Sequence, residues 1–549
     1  IQRASNVIRT ITLKQITKYN CYEHNELVEG LADNLNFDGR KCILLVDQVA
    51  NDLSIEGAMA NEASFINMYQ SARAQFPDGR LLLRTHPDTR LGQKKGILAR
   101  MALPDVERLT EHCHPHALLK NVDAVFTVSS QLGFEALLYK IPVYCFGLPF
   151  YAGWGLTHDS VTCHRRSSAS LEQLVYAALI EYSCYVNPVS QSRCEIEEIL
   201  QLIALQTKSK VKLNRLYLLG FSLWKRGFIK RFTRHLAEEQ IFIKSPPKML
   251  KANENILVWG NKYPDQTPCI RVEDGFIRSN GLGVNLHQPS SLSFDQRGLY
   301  FDSTKTNDLE RLLNNRVIEH HELIRGEALA TLLKSSGVSK YNVGKAKNIK
   351  IDAGGRKVIL VVGQVDSDAS ILLGSALIKN NEALLQQVKK SNDQAFIIYK
   401  PHPDVVSGNR KGKVNAKVMN KCVNLHITQL PLTSLYAHID ELHTITSLSG
   451  FEALSHGIEV HVWGQPFYAG WGLTTDYYAP IRRERTLPLA ELLYICLVEY
   501  PLYIDWTTGL WISPEMLIAK LSRQPHRSIN KQCWFVRQLQ KLIYLFKSL

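Results

Sequence analysis

None of the eleven cysteines stands in a CxxC pair, so neither a zinc ribbon nor a thioredoxin-type motif is written into the chain. Scattered thiols of this kind are expected to be reduced, in a cytoplasmic protein. No stretch approaches the roughly 18 consecutive apolar residues needed to cross a bilayer. The opening Ile1-Gln2-Arg3 lies in a polar segment without the marks of a secretory leader. No glycine-rich loop runs into Gly-Lys-Ser/Thr, which excludes a P-loop. Acidic residues are in deficit: 51 Asp and Glu face 65 Lys and Arg, for a net charge of +14. That excess suits a negatively charged partner, whether nucleotide, anionic lipid surface or nucleic acid. No nucleic-acid motif accompanies it.

What the chain does have, it has twice. Phe134-Glu135-Ala136-Leu137 precedes Pro149-Phe150-Tyr151-Ala152-Gly153-Trp154-Gly155-Leu156-Thr157, and Phe451-Glu452-Ala453-Leu454 precedes Pro466-Phe467-Tyr468-Ala469-Gly470-Trp471-Gly472-Leu473-Thr474. Trp154 and Trp471 stand 317 residues apart, and His86-Pro87-Asp88 and His402-Pro403-Asp404 stand 316 apart. A near-constant offset means a duplicated domain of catalytic size, not a short-repeat solenoid. The length of 549 residues and an apolar share of 45% leave room for three or four domains of roughly 150 residues.

Continuous apolar runs at 41–46, 80–85, 123–128 and 142–146 recur at 357–362, 395–400, 441–446 and 459–463, with helical stretches between them. Strands alternating with helices predict an α/β fold with a parallel, doubly wound sheet, whose ligands bind outside the carboxyl ends of the strands. Every repeated motif falls at such an end.

Those ends carry the chemistry. Lys400-Pro401-His402, matched by Arg84-Thr85-His86, places a cation and an imidazole where they can bind a phosphate and assist its departure. Ser447-Leu448-Ser449-Gly450 and Ser130-Gln131-Leu132-Gly133 are turns into helices, whose amides and dipole favour phosphate. Glu452 and Glu135, one turn further, are placed to accept from ribose hydroxyls. Asp368 and Asp52 follow the first strand of each copy. Each fits a base or covalent nucleophile at an anomeric carbon, and equally a helix N-cap. The basic loops Gly408-Asn409-Arg410-Lys411-Gly412 and Gly92-Gln93-Lys94-Lys95-Gly96 suit a carboxylate or phosphate, or are simply solvated. His112-Cys113-His114-Pro115-His116 lacks a second ligand cluster and a counterpart in the second copy, so no metal is expected.

The copies are unequal. The second is preceded by a block from about 256 to 313 that includes Val272-Glu273-Asp274-Gly275-Phe276-Ile277-Arg278-Ser279, whereas Lys18-Tyr19-Asn20, which matches Lys340-Tyr341-Asn342, lies near the chain's start. This predicts that the chain begins inside the first repeat, as a piece whose first copy lacks its amino-terminal domain. The basic aromatic runs Trp224–Phe232 and Arg537–Lys547 read either as amphipathic surface helices for an anionic membrane or as solvated helices packed on their own domain.

Together these blocks resemble the KpsC family of bacterial capsule polysaccharide transferases, over nearly the whole chain. The family adds 3-deoxy-D-manno-oct-2-ulosonic acid (Kdo) from CMP-Kdo to a lipid-linked acceptor. The resemblance implies tandem retaining β-Kdo transferase modules of Rossmann-like parallel-sheet domains (GT-B-like), with the first incomplete. It implies a Kdo-modified phosphatidylglycerol acceptor, work at the cytoplasmic face of the inner membrane beside other capsule-assembly proteins, and no metal or other cofactor. The expected layout is a first module at 1–200 with its nucleotide-binding half only, and a basic linker at 201–250. An acceptor-side domain at 251–345, a CMP-Kdo-binding domain at 346–500 and C-terminal helices at 501–549 follow. Asp368 is the expected nucleophile. Glu273 and Asp274 stand in reserve or act on the acceptor hydroxyl, Arg278 joins the substrate-binding set, and Arg410 and Lys411 have the Kdo carboxylate as target. Arg84 in place of Lys400, and Gln131 in place of Leu448, imply different pockets. Two other classes remain open: a membrane-bound scaffold that binds nucleotide sugar without catalysis, and a nucleic-acid binder driven by charge alone.

Overall fold

The computed structural model describes residues 1–20, 39–85, 94–109, 113–207, 213–234, 236–263, 268–280, 287–340, 342, 349–408, 410–478 and 480–524. The chain forms two compact units, Ile1–Val211 and Lys212–Leu549.

In the first unit, β1 (Cys42–Val46), β2 (Arg80–Arg84), β3 (Val106–Arg108), β4 (Ala124–Thr127), β5 (Val143–Cys145) and β6 (His158–Asp159) form one parallel sheet. Its order is β3-β2-β1-β4-β5-β6. β7 (Tyr185–Asn187) and β8 (Ser192–Cys194) make a separate antiparallel hairpin. β1 is buried along its whole length, which is why its sequence is unbroken Cys-Ile-Leu-Leu-Val: helices cover both faces, so no polar alternation survives.

The second unit holds two sheets. One runs β10-β9-β11-β12-β13-β20-β21, from β9 (Leu213–Leu219), β10 (Ala237–Ile243), β11 (Glu254–Trp259), β12 (Ile270–Asp274), β13 (Ser291–Asp295), β20 (Pro501–Ile504) and β21 (Trp511–Ile512). The other is β16-β15-β14-β17-β18-β19, from β14 (Val358–Val362), β15 (Phe396–Lys400), β16 (Leu425–His426), β17 (Glu441–Thr444), β18 (Glu459–Val462) and β19 (Thr475–Asp476). Its order and parallel pairings repeat those of the first unit, so the duplication seen in the motifs extends to topology. The predicted strands fall within a residue or two of the observed ones.

Two expectations fail here. The segment 201–250 is no linker: β9, the helix Leu223–Thr233 and β10 build one edge of the seven-stranded sheet. Phe228, Ile229 and Phe232 of that helix are buried in the core beneath it. Of the two readings of Trp224–Phe232, the helix whose apolar face packs on its own domain is the one observed. Nor is 501–549 purely helical, since β20 and β21 return to the seven-stranded sheet before the helix Pro514–Ser522. The run Arg537–Lys547 lies outside the described residues. Among the described residues no helix is long and apolar enough to cross a membrane.

The hairpin β7–β8 occupies in the first unit the sequence position that β20–β21 occupy in the second. There it pairs with no further strand among the described residues. Correspondingly, Phe150 is 45% exposed while Phe467 is 6% exposed.

Candidate active site

The carboxyl ends of β14, β15 and β17 and the end of β12 converge on a cleft of about 520 Å³. Its floor is tied by Gln364, whose side-chain oxygen accepts from Thr446 N at 2.8 Å while its amide donates to the Thr446 hydroxyl at 3.1 Å. Gln48 ties Ser129 in the same way at 2.9 and 3.0 Å. Both glutamines are visible in the sequence as repeated strand ends, but nothing in their pattern marks them for a site.

Beyond Gln364 the chain turns through Asp368, which lines the cleft and caps the helix Ala369–Gly374 by accepting from Ser370 N at 3.1 Å. Asp52 caps Leu53–Gly57 through Ser54 N at 2.9 Å. The helix-cap reading of this aspartate is the one observed, and the residue also lines the cleft.

β15 delivers Lys400 and His402. Lys400 is buried and donates to the Leu430 carbonyl at 2.6 Å, and burial lowers its pKa to about 8. Arg84 reaches the Cys113 carbonyl in the same manner, at 3.3 Å. Each cation thus reaches a neutral backbone oxygen near a strand end. His402 caps the short helix Pro403–Val406, its Nδ1 accepting from Asp404 N at 3.0 Å. An accepting Nδ1 carries no hydrogen, so the neutral ring holds its hydrogen on Nε2 as a donor. Burial holds the His402 pKa below the ordinary histidine value, which favours that neutral tautomer. His86 lies outside the described residues.

Ser447 caps the helix Leu448–Ser455 by accepting from Ser449 N at 3.2 Å, and both serines line the cleft. Glu452 forms part of the same wall and accepts from Lys340 N at 2.7 Å; burial raises its pKa to about 7. In the first unit Ser130 caps Gln131–Leu138. There Glu135 takes the Thr17 hydroxyl at 3.0 and 2.9 Å and lies 3.2 Å from His116 Nε2. The His-rich segment resolves accordingly: His114 caps Pro115–Leu119, and His116 packs on the motif glutamate.

Gly450 and Gly133 answer a different need from the one expected. A Cβ on either would come 2.3 Å from a tyrosine hydroxyl, of Tyr468 or Tyr151. Those hydroxyls donate to the carbonyls of Ser447 and Ser130. The glycines make room for a tyrosine that braces the helix cap. The long aromatic motif is likewise structural: Gly470 N donates to Asp476 at 2.8 Å, and Trp471 Nε1 donates to the Phe467 carbonyl at 2.8 Å.

The facing wall comes from the end of β12. Burial, and then the neighbouring Asp274 carboxylate, push the Glu273 pKa up to about 7. Asp274 Oδ2 accepts from Arg278 Nε at 2.6 Å, while Oδ1 is buried without a hydrogen-bond partner. Arg278 is therefore a buttress behind Asp274 and does not line the cleft, contrary to expectation. Lys411 is exposed and also off the wall, whereas the exposed Arg410 does line it. Lys225, unsuspected from sequence, stands 3.4 Å from the Trp259 ring centroid, its pKa lowered to about 7 by burial despite the Glu273 and Asp274 carboxylates. It has no counterpart in the first copy to announce it. Lys225 stands behind the wall, whereas Lys340 and Trp259 line the cleft. Lys340 was visible in sequence only as part of a repeated Lys-Tyr-Asn, with no site role expected of it.

Such a cleft offers a buried ammonium, a fixed Nε2–H and a helix start on one wall, with carboxyl groups on both. That arrangement suits displacement of a phosphate from an activated sugar. The family model described as capsule polysaccharide biosynthesis protein matches residues 2–193 and 263–503. The capsule polysaccharide modification protein LipA of Neisseria meningitidis serogroup B is 38% identical over 532 residues, 92% of this chain and 75% of LipA. The lipopolysaccharide-processing protein LpsZ of Rhizobium meliloti is 41% identical over 259 residues, 46% of this chain and 59% of LpsZ. Among solved structures, the β-Kdo 2,4 transferase of Thermosulfurimonas dismutans KpsC is 28% identical, with a TM-score of 0.50, and covers 57% of this chain and 99% of its own. The β-Kdo 2,7 transferase of the same KpsC is 34% identical, with a TM-score of 0.46 over 56% and 98%. Each solved chain thus spans little more than half of this tandem protein. The chain belongs to the capsule polysaccharide biosynthesis family, as a KpsC-like tandem of Rossmann-like modules.

Proposed function

We propose that this protein is a retaining β-Kdo glycosyltransferase that uses CMP-Kdo, with the second module as its complete catalytic unit. One observation carries the reading: Asp368, Lys400, His402 and the start of the helix Leu448–Ser455 share a cleft with Glu273 and Asp274. In the first half-reaction an Asp368 carboxylate oxygen bonds to the anomeric carbon as the bond from that carbon to the phosphate oxygen breaks. CMP leaves with its charge met by Lys400, the His402 Nε2–H and the serine hydroxyls. In the second, the acceptor hydroxyl oxygen attacks the same carbon, Glu273 takes the hydroxyl proton and Asp368 is released. A carboxyl group whose pKa lies near 7 suits that base role. Arg410 at the cleft's edge has the Kdo carboxylate as its target. The set is self-sufficient without a metal, because a single phosphate needs less neutralising charge than a diphosphate.

A Kdo-terminated phosphatidylglycerol acceptor, reached at the cytoplasmic surface of the inner membrane, follows from the family resemblance. The outward basic residues of Leu223–Thr233, such as the exposed Lys230 and Arg231, suit an anionic surface. The test is product analysis by NMR after incubation with CMP-Kdo and a short Kdo-terminated acceptor. A new β-linked Kdo supports the proposal. CMP-Kdo binding without acceptor-dependent CMP release favours a non-catalytic scaffold instead.

A further inference from the structure

A second polar cluster lies at the opposite, amino-terminal end of the same sheet. Glu441 and His443 on β17 stand in register with Glu459 and His461 on β18, all four on one face. Glu441, His443 and His461 are buried, whereas the Glu459 side chain is 58% exposed. His461 Nε2 lies 3.3 Å from Glu441 Oε1 and 3.0 Å from Glu459 Oε1. His443 Nε2 lies 3.1 Å from Glu441 Oε2. The half-exposed Lys357 ammonium also bonds Glu441.

The fold itself does not call for these groups. The matching positions in the first unit are Ala124, Phe126, Pro142 and Tyr144, and there the Phe126 and Tyr144 rings stack at 4.3 Å. The His443 and His461 rings stack at the same 4.3 Å. One wall, apolar in one copy, carries two carboxylates and two imidazoles in the other.

We propose that this cluster binds a divalent transition metal of the zinc class, with Glu441, His461 and Glu459 as ligands and water completing the shell. Ligands held about 2.0–2.1 Å from a tetrahedral zinc stand about 3.3 Å from one another, close to the 3.3 and 3.0 Å that separate His461 Nε2 from the Glu441 and Glu459 oxygens. The two histidines divide their roles by tautomer. Trp463 Nε1 donates to His443 Nδ1 at 3.2 Å, so His443 carries its hydrogen on Nε2 and gives it to Glu441. It is an outer-shell donor that orients the ligand. His461 Nδ1 has no hydrogen-bond partner, while its Nε2–H faces the Glu441 and Glu459 oxygens at 3.3 and 3.0 Å; a metal takes the place of that hydrogen, which the ring can carry on Nδ1 instead. Lys357 competes for the Glu441 oxygen and, being half exposed, can turn outward. With Glu459 it marks the entry side. The metal would brace the starts of two strands whose far ends lead to Ser447 and Phe467.

The full chain, stripped with EDTA and titrated with Co²⁺ and Zn²⁺, tests this. We expect one equivalent of cobalt with four-coordinate d–d absorption and no thiolate charge-transfer band, displaced by zinc. His461→Gln should abolish that signal. Glu459→Gln, at the surface and safe for folding, should weaken zinc binding at least tenfold. His443→Phe should weaken it about 10- to 100-fold, as the loss of an outer-shell partner does. Lys357→Ala should tighten binding, the opposite of what a plain ion-pair network predicts. An unchanged cobalt signal in folded Glu459→Gln and His461→Gln, or no uptake by Lys357→Ala, overturns the proposal.

Discussion

Phe276 stacks on Phe467 with ring centroids 4.5 Å apart and planes inclined by 27°. The contact joins the loop after β12 to the loop after β18, and so fastens the seven-stranded half of the second unit to its six-stranded half. Phe451 and Tyr500 close around the same ring at 5.7 and 6.2 Å. The motif Pro-Phe-Tyr-Ala-Gly-Trp-Gly is thus the seam beneath the cleft as well as a brace for it.

Phe467→Ala should therefore destabilise the second unit by about 3–5 kcal/mol, the usual cost of deleting a buried aromatic ring. Phe150→Ala, at the matching but 45% exposed position, should cost under about 1 kcal/mol. Chemical denaturation of each variant, read by tryptophan fluorescence, checks the contrast. Equal losses would mean that the seam contributes nothing special.

Residues 212–549 expressed alone should transfer Kdo, and residues 1–211 alone should not, because among the described residues the former bring two sheets to one cleft and the latter hold a single parallel sheet. A piece beginning at residue 250 should be insoluble, since it loses β9, β10 and the helix carrying Phe228 and Phe232. Assays of the three pieces decide the matter. Transfer by 1–211 would show that one sheet suffices.

The parallel sheets and the strand ends were legible because buried parallel strands read as unbroken apolar runs, and because the motifs at those ends appeared twice. Asp368, His402 and Glu452 were found that way. Lys225 was not, since it occurs once and sits on a helix whose apolar face is interrupted by Lys and Arg. Gly450 and Gly133 were misread because a glycine at a helix start suits both an anion and a neighbouring tyrosine ring, and only Tyr468 and Tyr151 in place separate the two. Arg278 was misassigned for a similar reason: sequence marks a cation near the site but not the Asp274 carboxylate that claims it.

The pH profile follows from two shifted groups. Glu273, raised to about 7, must be ionised to act as base, so kcat/KM should fall as the pH drops below about 7. Lys400, lowered to about 8, must be charged to hold the donor phosphate, so kcat/KM should fall again above about 8. Lys400→Arg should remove the alkaline limb, and Glu273→Gln should lose activity at every pH. For stability the sign runs the other way. Glu452, raised to about 7, stabilises the fold at pH below its unfolded value, and that contribution is lost as the pH rises through 7. Glu452→Gln should flatten this part of the stability curve. An alkaline limb unchanged in Lys400→Arg would remove Lys400 from donor binding.

His402→Asn isolates the leaving-group role, because asparagine still caps the helix Pro403–Val406 but cannot reproduce the Nε2–H. Turnover should fall by roughly two to four orders of magnitude, with the melting temperature nearly unchanged. Near-normal turnover would reduce this histidine to a cap.

Asp368 bears the sharpest test. Its two functions separate under substitution, because Asp368→Asn keeps the cap on Ser370 N while removing the anionic nucleophile. Transfer should be abolished and CMP-Kdo binding largely kept, as measured by calorimetry. Wild-type protein exposed briefly to CMP-Kdo without acceptor should gain the mass of one Kdo, released on adding acceptor and mapping by peptide analysis to Asp368. Glu273→Gln should accumulate that adduct, since the second half-reaction then lacks its base. An adduct on Glu273 or Asp274, together with activity in Asp368→Asn, would leave Asp368 as a helix cap and move the chemistry to the facing wall.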